Sequence, residues 1–166
     1  EWPQFFTATI NNWLPLLKTD EYKKIITDSL QFLVQNKRIE LNAFCIMQTH
    51  IHLIWQVLPG HTPISVQLSF MKYTAHQIKF ELIKDQSPLL EQCSVNKRDR
   101  AYQIWKRESL SIELSSEKFF MQKMDYIHYN PVVAGLCNYP EDYHFSSALF
   151  YERGVDHFKM LTHYMG

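Results

Sequence analysis

Hydrophobic and polar positions along the chain predict four β-strands. Residues 4–10 are rich in β-branched and aromatic side chains, which is typical of a strand. Residues 38–47 and 50–57 are almost continuously apolar, so they predict two central strands that are covered on much of both faces. A short fourth strand is predicted around Ala101–Glu108.

Apolar residues at helical spacing separate these strands. The first helix follows the potential N-caps Thr19 and Asp20, and its apolar stripe consists of Tyr22, Ile25, Ile26, Leu30, Leu33 and Val34. The second begins near Pro63, and its stripe consists of Ile64, Leu68, Met71, Ala75, Ile78 and Leu82. The stretch 85–100 is polar and irregular, and it predicts a mobile loop.

A third helix is predicted from Ser115 toward Asn130. Proline lacks a backbone donor, so this helix is expected to bend or restart at Pro131, with Gly135 as a candidate C-cap. The resulting order is an α+β fold of the ferredoxin-like β-α-β-β-α-β type, with an antiparallel sheet, helices on one face and a C-terminal helical segment. A length of 166 residues fits a single domain over residues 1–166.

Composition narrows the class of protein. Hydrophobic residues make up 46% of the chain, yet no run approaches the length of a membrane span and no signal peptide opens the sequence. Cys45, Cys93 and Cys137 are far apart and odd in number, which argues against a disulfide framework and favours a reducing, cytoplasmic compartment.

Charge is balanced over the chain but not along it. Acidic and basic residues both number 17, whereas residues 72–107 contain eight basic and four acidic side chains. The basic residues considered for nucleic-acid contact are Lys72, Lys79, Lys97, Arg98, Arg100, Lys106 and Arg107. Such a segment can line a phosphate-binding groove, and a solvated charged face is the alternative.

Two histidines, His50 and His52, lie within the third predicted strand. Alternate residues of a strand share a face, so both imidazoles are expected to project the same way, opposite to Ile51, Leu53 and Trp55. Two converging imidazoles can bind a divalent metal ion. The alternative is a pair of hydrogen-bonded histidines on a partly exposed strand.

A tyrosine and an amide follow on the third predicted helix. Tyr126 and Asn130 are four residues apart and therefore share a face, with Lys123 one turn earlier on the same side. An amide oxygen can complete a metal shell, and a tyrosine hydroxyl beside a metal can attack a phosphodiester. The alternative is a half-buried interface tyrosine with an asparagine that leads the helix into Pro131.

Together these segments resemble the single-tyrosine HUH transposases of insertion sequences, and most closely the REP-associated tyrosine transposases. The family's strand motif is similar to Met47-Gln48-Thr49-His50-Ile51-His52-Leu53, although Gln48 and Thr49 stand where proline and asparagine are usual. A longer and more specific block matches Tyr126-Ile127-His128-Tyr129-Asn130-Pro131-Val132-Val133-Ala134-Gly135-Leu136. Further matches are Pro140–Ala148 and the strand Ile104–Arg107.

The resemblance implies a transposase that cleaves and rejoins single-stranded DNA beside a hairpin. Tyr126 would be the nucleophile that forms a 5′-phosphotyrosine link, and His50, His52 and Asn130 would hold Mg²⁺ or Mn²⁺. DNA contacts are expected from the basic residues named above and from Lys123. The protein is expected to act as a monomer or homodimer, without a membrane, in the bacterial cytoplasm near the nucleoid.

Two other functions remain open at this point, besides a cytosolic structural domain with no nucleic-acid role. One is a metal-dependent nuclease in which water is the nucleophile and His128 is a candidate general base. The other is a non-catalytic, domesticated protein that binds a DNA hairpin on the same scaffold.

Overall fold

The computed structural model describes residues 2–166. Its strands are β1 (Gln4–Thr9), β2 (Ile39–Ile46), β3 (His50–Val57), β4 (Ser94–Lys97), β5 (Arg100–Tyr102) and β6 (Leu110–Glu113). Its helices are α1 (Asp20–Gln35), α2 (Pro63–Lys84), α3 (Leu89–Gln92), α4 (Glu117–Val133) and α5 (Ala148–Arg153). Two single 3₁₀ turns occupy Asn11–Trp13 and Pro140–Asp142.

Four of the strands form one antiparallel sheet in the order β2-β3-β1-β6. Strands β4 and β5 form a separate hairpin that is inserted between α2 and the last strand of the sheet. The α+β class with an antiparallel sheet and a C-terminal helical segment is confirmed. With the inserted residues 89–102 set aside, the elements follow the order β1, α1, β2, β3, α2, β6 and α4.

Helices α1 and α2 cover one face of the sheet and form the larger core. Phe6, Leu53 and Trp55 from the sheet are fully buried there against Leu30 of α1 and Phe70 of α2. The predicted α2 stripe is wrong in its first half, because the side chains that are buried are Val66, Phe70, Thr74, Ile78 and Leu82. They recur every four residues, whereas Ile64 and Leu68 are 71% and 66% exposed.

Helix α4 covers the opposite face of the sheet. Its Phe120, Met124 and Ile127 pack in a second cluster with Phe5 and Ile54. The expectation of helices on one face is therefore wrong. The near-continuous apolar character of β2 and β3 has a direct cause, since both of their faces are covered by helices.

The predicted fourth strand at Ala101–Glu108 is also wrong. Residues 100–102 pair with β4 in the hairpin, and the sheet's edge strand is β6. Trp105 makes only an isolated bridge with Ile10, while its buried indole N–H donates to the Thr74 hydroxyl at 3.0 Å. Packing of this ring against α2 explains why an apolar, strand-like stretch lies beside the sheet without extending it.

The stretch 85–100, predicted to be an irregular loop, contains regular secondary structure in α3 and β4.

Helix α4 begins after Ser116, whose hydroxyl accepts a hydrogen bond from the Phe119 N–H at 3.1 Å. It continues through Pro131 to Val133 instead of restarting there. Gly135 follows the last turn with φ of 76°, a conformation that glycine adopts without strain.

The C-terminal part of the chain covers the outer edge of β2. Backbone N–H groups of Ser147 and Thr162 donate to the carbonyls of Phe44 and Leu41 at 3.0 and 2.8 Å. The Tyr143 hydroxyl donates to the Ile46 carbonyl at 2.7 Å.

Nowhere in residues 2–166 does a helix combine the length and the apolar character that crossing a bilayer requires.

Candidate active site

His50 and His52 project from β3 toward the face that α4 covers, with ring centroids 4.8 Å apart. Ile51, Leu53 and Trp55 point into the α1–α2 core, as the alternation of a strand requires. His50 lies where β3 begins and is partly exposed, whereas His52 is buried. The pair therefore sits at the open end of the interface between the sheet and α4.

A threonine hydroxyl lies against Nδ1 of each histidine. Thr7 Oγ1, directly across from His52 on β1, is 2.8 Å from Nδ1 of that ring. Thr49 Oγ1 is 3.0 Å from Nδ1 of His50. When such a hydroxyl accepts the proton of Nδ1, Nε2 keeps its lone pair, which is the form that binds a metal ion.

Asn130 completes the cluster from α4. Its Oδ1 lies 3.0 Å from Nε2 of His50, so a proton or a cation is needed between these two acceptor atoms. Nε2 of His52 is buried and has no hydrogen-bond partner among residues 2–166. An unsatisfied buried nitrogen costs about 1–3 kcal/mol, so it marks a position suited to binding something else.

Burial favours the neutral form of both imidazoles. It lowers the pKa of His50, although the hydrogen bond with Asn130 acts in the other direction. Burial, with the nearby charges of His50 and Lys123, lowers the pKa of His52 to about 3. Metal ligation requires neutral histidine, so the two imidazoles and the amide oxygen fit a hard or borderline divalent cation.

Carboxylates and thiolates do not add to this ligand set. Within residues 2–166, no group of three or more His, Cys, Asp or Glu side chains could hold a metal ion. The candidate site therefore offers two nitrogen atoms and one amide oxygen. The role of His50, His52 and Asn130 as ligands for Mg²⁺ or Mn²⁺ stays a prediction.

Tyr126 lies over the same cluster. Its ring centroid is 5.3 Å from that of His52 and 6.1 Å from that of Phe5, and its side chain is half exposed. The Lys123 ammonium is 5.8 Å from the centre of the Tyr126 ring and 5.0 Å from that of Phe5. The structure thus brings a reachable phenol and a positive charge to the histidine pair within one chain.

His128 faces away from this cluster. It lies two residues beyond Tyr126, which is about 200° around an α-helix. Its Nε2 is 2.7 Å from the Ser147 hydroxyl, and burial lowers its pKa to about 4. It therefore ties α4 to the segment before α5 and does not approach the histidine pair.

The predicted DNA-contact residues fall into three places. A groove between α2 and residues 99–109 is lined by Lys72, Lys79, Arg100, Lys106 and Arg107. The Lys97 ammonium donates a hydrogen bond to Oε1 of Gln103 at 3.3 Å, on the protein's β4–β5 hairpin. Lys123 lies at Tyr126 instead.

This basic groove has a volume of about 860 Å³ and one apolar wall. Ile64, Leu68 and Met71 of α2 line it, which accounts for the exposed apolar side chains that the helix pattern had placed in the core. Lys79 lies 5.1 Å from the centre of the Tyr102 ring across the groove. Arg98 does not line the groove and lies at the turn between β4 and β5.

Comparison with known proteins places this geometry in a family context. A curated protein of Haemophilus influenzae named "Putative REP-associated tyrosine transposase" is 26% identical over 147 residues, which are 86% of this chain and 77% of that protein. The chain is therefore similar in sequence to a REP-associated tyrosine transposase over most of its length. No family model matches the sequence.

Solved structures agree with this relationship at the level of the fold. A REP-associated tyrosine transposase bound to a REP hairpin superposes with a TM-score of 0.68 at 21% identity, over 97% of this chain and 86% of that one. A putative transposase from Deinococcus radiodurans R1 gives a TM-score of 0.49 at 16% identity over 76% of this chain, a likeness that adds nothing to the assignment. The resemblance to REP-associated tyrosine transposases that the motifs indicated is confirmed.

Three contributors to the site escaped the sequence analysis. Thr7 and Phe5 reach His52 from β1, and Trp13 lies beside His50 with ring centroids 6.4 Å apart. The register of β1 against β3 would have identified Thr7, because it pairs directly with His52. No comparable signal exists for Trp13, which lies in a 3₁₀ turn.

Proposed function

We propose that this protein is a transposase that cleaves and rejoins single-stranded DNA beside a hairpin, with Tyr126 as the nucleophile. The observation that carries the proposal is the half-exposed Tyr126 ring, which lies 5.3 Å from His52, a residue whose buried Nε2 has no partner in residues 2–166. A purely structural tyrosine would not need an unsatisfied histidine beneath it. The relationship to REP-associated tyrosine transposases supports the same reading.

Each side chain has a distinct task in this proposal. A divalent cation bound by His50, His52 and Asn130 would polarise a non-bridging oxygen of the scissile phosphate. Thr7 and Thr49 contact Nδ1 of the two imidazoles and would hold the rings in the tautomer that leaves Nε2 free to bind the cation. The Lys123 ammonium stabilises negative charge on the phosphate and on the attacking oxygen.

The chemical step exchanges one phosphoester bond for another. The Tyr126 hydroxyl oxygen forms a bond to phosphorus, and the bond from phosphorus to the 3′ oxygen of the preceding nucleotide breaks. The phenolic proton leaves through solvent, and the released 3′ oxygen takes up a proton. Attack by a 3′-hydroxyl on the phosphotyrosine reverses the exchange and rejoins DNA without an external energy source.

The basic groove is the proposed path for the DNA backbone. Lys72, Lys79, Arg100, Lys106 and Arg107 line it, and Lys106 donates its backbone N–H to the Thr9 carbonyl at 2.7 Å. Thr9 pairs with His50, so the groove approaches the sheet at the end where the histidines lie. The similar fold of a REP-associated tyrosine transposase bound to a REP hairpin supports a hairpin as the substrate.

A covalent-adduct assay tests the nucleophile. The protein is incubated with Mn²⁺ and a labelled oligonucleotide that carries a hairpin and a single-stranded flank, and products are separated in SDS. Tyr126→Phe is expected to abolish the adduct and to leave hairpin binding nearly intact, because phenylalanine keeps the ring and removes only the hydroxyl. Tyr129→Phe is the matched control, because it is an equally exposed tyrosine on the same helix, and it is expected to retain cleavage.

The outcomes separate the proposal from its alternatives. An adduct that survives in Tyr126→Phe but is lost in Tyr129→Phe makes the assignment of the nucleophile wrong. Cleavage without any adduct indicates water as the nucleophile, although His128 is turned away from the site and could not be its base. Hairpin binding without cleavage indicates a domesticated DNA-binding protein.

A further inference from the structure

The turn Asn11–Trp13 has an unusual backbone. Asn12 and Trp13 have φ of 59° and 56°, in the left-handed region. Asparagine enters this region readily, but a bulky side chain such as tryptophan does so rarely. Residues held in this way cost on the order of 1–3 kcal/mol each and cluster at functional sites.

The surrounding backbone holds the turn in this conformation. Ile10 donates its N–H to the Thr49 carbonyl at 2.8 Å, and Leu17 donates to the Gln48 carbonyl at 3.0 Å. Asn11 donates to the Ile104 carbonyl at 2.8 Å. The turn is thus bonded on one side to the residues that precede His50 and on the other to the segment that leads into the basic groove.

The strain positions a large aromatic ring in solvent. Trp13 is 62% exposed, although its ring centroid lies only 6.4 Å from that of His50, with the planes at 71°. Trp55 and Trp105 are buried in the core, and Trp2 is exposed but lies at the opposite end of β1. Trp13 is therefore the exposed tryptophan beside the histidine pair, and no packing within residues 2–166 accounts for most of its surface.

We propose that Trp13 is a stacking platform for an unpaired base next to the scissile phosphate. This inference rests on the proposed function. A phosphate at the histidine pair places the base of its own nucleotide within reach of a ring beside His50. Stacking on an aromatic face accepts any base and fixes where the strand enters the site, so Trp13 would be a positioning residue for the single-stranded side of the junction.

The choice of substitution follows from the backbone. Trp13→Asn removes the ring and suits the left-handed conformation, which Asn12 already adopts in the same turn. The variant is therefore expected to unfold at a temperature no lower than the parent protein. Trp13→Phe keeps an aromatic face and is expected to restore most of the binding that Trp13→Asn loses.

The experiment measures binding in a Tyr126→Phe background, so that no DNA is cleaved. The probe is a hairpin oligonucleotide with a single-stranded flank, and a series of abasic sites removes one flanking base at a time. Trp13→Asn is expected to weaken binding about tenfold, the size typical of one base stacked on one aromatic ring. One abasic position is expected to cause the same loss, with no further loss when both changes are combined.

Trp2→Phe is the control, and it is expected to bind as the parent does. The inference would be overturned if Trp13→Asn bound DNA as tightly as the parent, or if its loss of affinity added to that of every abasic position. Neither result would change the outcome of the adduct assay. The inference would also be overturned if Trp13→Asn unfolded at a lower temperature and lost the same affinity for a DNA hairpin without its single-stranded flank. The ring would then have a structural role. Absence of any DNA binding by the parent would overturn the proposed function as well.

Discussion

The two faces of the sheet differ in what they bury. Toward α1 and α2, strand β3 presents Ile51, Leu53 and Trp55, all fully buried in the larger hydrophobic cluster. Toward α4, the same strand presents His50 and His52, followed by Ile54 in a smaller cluster. One strand of eight residues therefore contributes to the main core on one side and to the candidate site on the other.

This difference shows how a small fold can accommodate unsatisfied polar groups. Neighbouring residues of a strand face opposite ways, so a costly buried nitrogen at His52 is flanked in the chain by Ile51 and Leu53, which are packed in the opposite core. Burial on the α1–α2 face stabilises the strand independently of what α4 covers. The comparison predicts that stability and activity respond to different sets of β3 residues.

The largest effect on stability is expected from Leu53. Leu53→Ala should lower the free energy of unfolding by about 2–5 kcal/mol, because it leaves a cavity in a closed core. Ile54→Ala removes a similar volume on the α4 face, where the smaller cluster adjoins the open site and can collapse further, so its cost should lie near the lower end of that range. Urea denaturation followed by circular dichroism measures both. Equal costs would contradict the proposed division between the faces.

An intermediate effect is expected from the proposed metal ligands. Mn²⁺ at ten times its Kd should stabilise the parent by about 1.4 kcal/mol, through preferential binding to the folded state. This stabilisation, observed as a rise in Tm, should disappear in His50→Ala. His61→Ala, beyond the opposite end of β3, should retain it. A rise in Tm that persists in His50→Ala would show that Mn²⁺ binds elsewhere.

The smallest effect is expected from single charges of the basic groove. Replacing Lys79 by alanine should reduce the slope of log K against log salt by about 1, since one phosphate contact fewer releases one counterion fewer. Lys24→Ala, on the exposed surface of α1, should leave the slope unchanged. Arg98→Ala sharpens the test. An equal reduction of the slope in this variant would place the DNA along the protein's β4–β5 hairpin and not in the basic groove.

Much of the candidate site could be predicted because it depends on local periodicity. Strand alternation was enough to place His50 and His52 on one face, and helix geometry was enough to place Tyr126 with Asn130. Their meeting across the sheet depends on the packing of α4, for which the resemblance supplied the expectation. Trp13 could not be predicted, because its position follows from turn geometry and not from a repeating pattern.

The errors in the fold come from features that periodicity does not encode. Helix α2 has apolar residues over much of its circumference, and only tertiary packing selects Phe70 and leaves Leu68 in the groove. Strand β2 has a bulge between Leu41 and Ala43, so its inward alternation changes phase. Leu41 and Phe44 consequently face the same core although they are three residues apart.

The covering of β2 by the C-terminal part of the chain also bears on self-association. An open strand edge offers unpaired backbone groups to a second molecule and is a common starting point for aggregation. Here Ser147 and Thr162 bond that edge, while the opposite edge, β6, is only four residues long and ends in Glu113. The covered β2 edge and the short β6 edge leave little backbone for pairing with a second molecule, and the histidine-bearing strand β3 lies between β2 and β1 in the interior of the sheet.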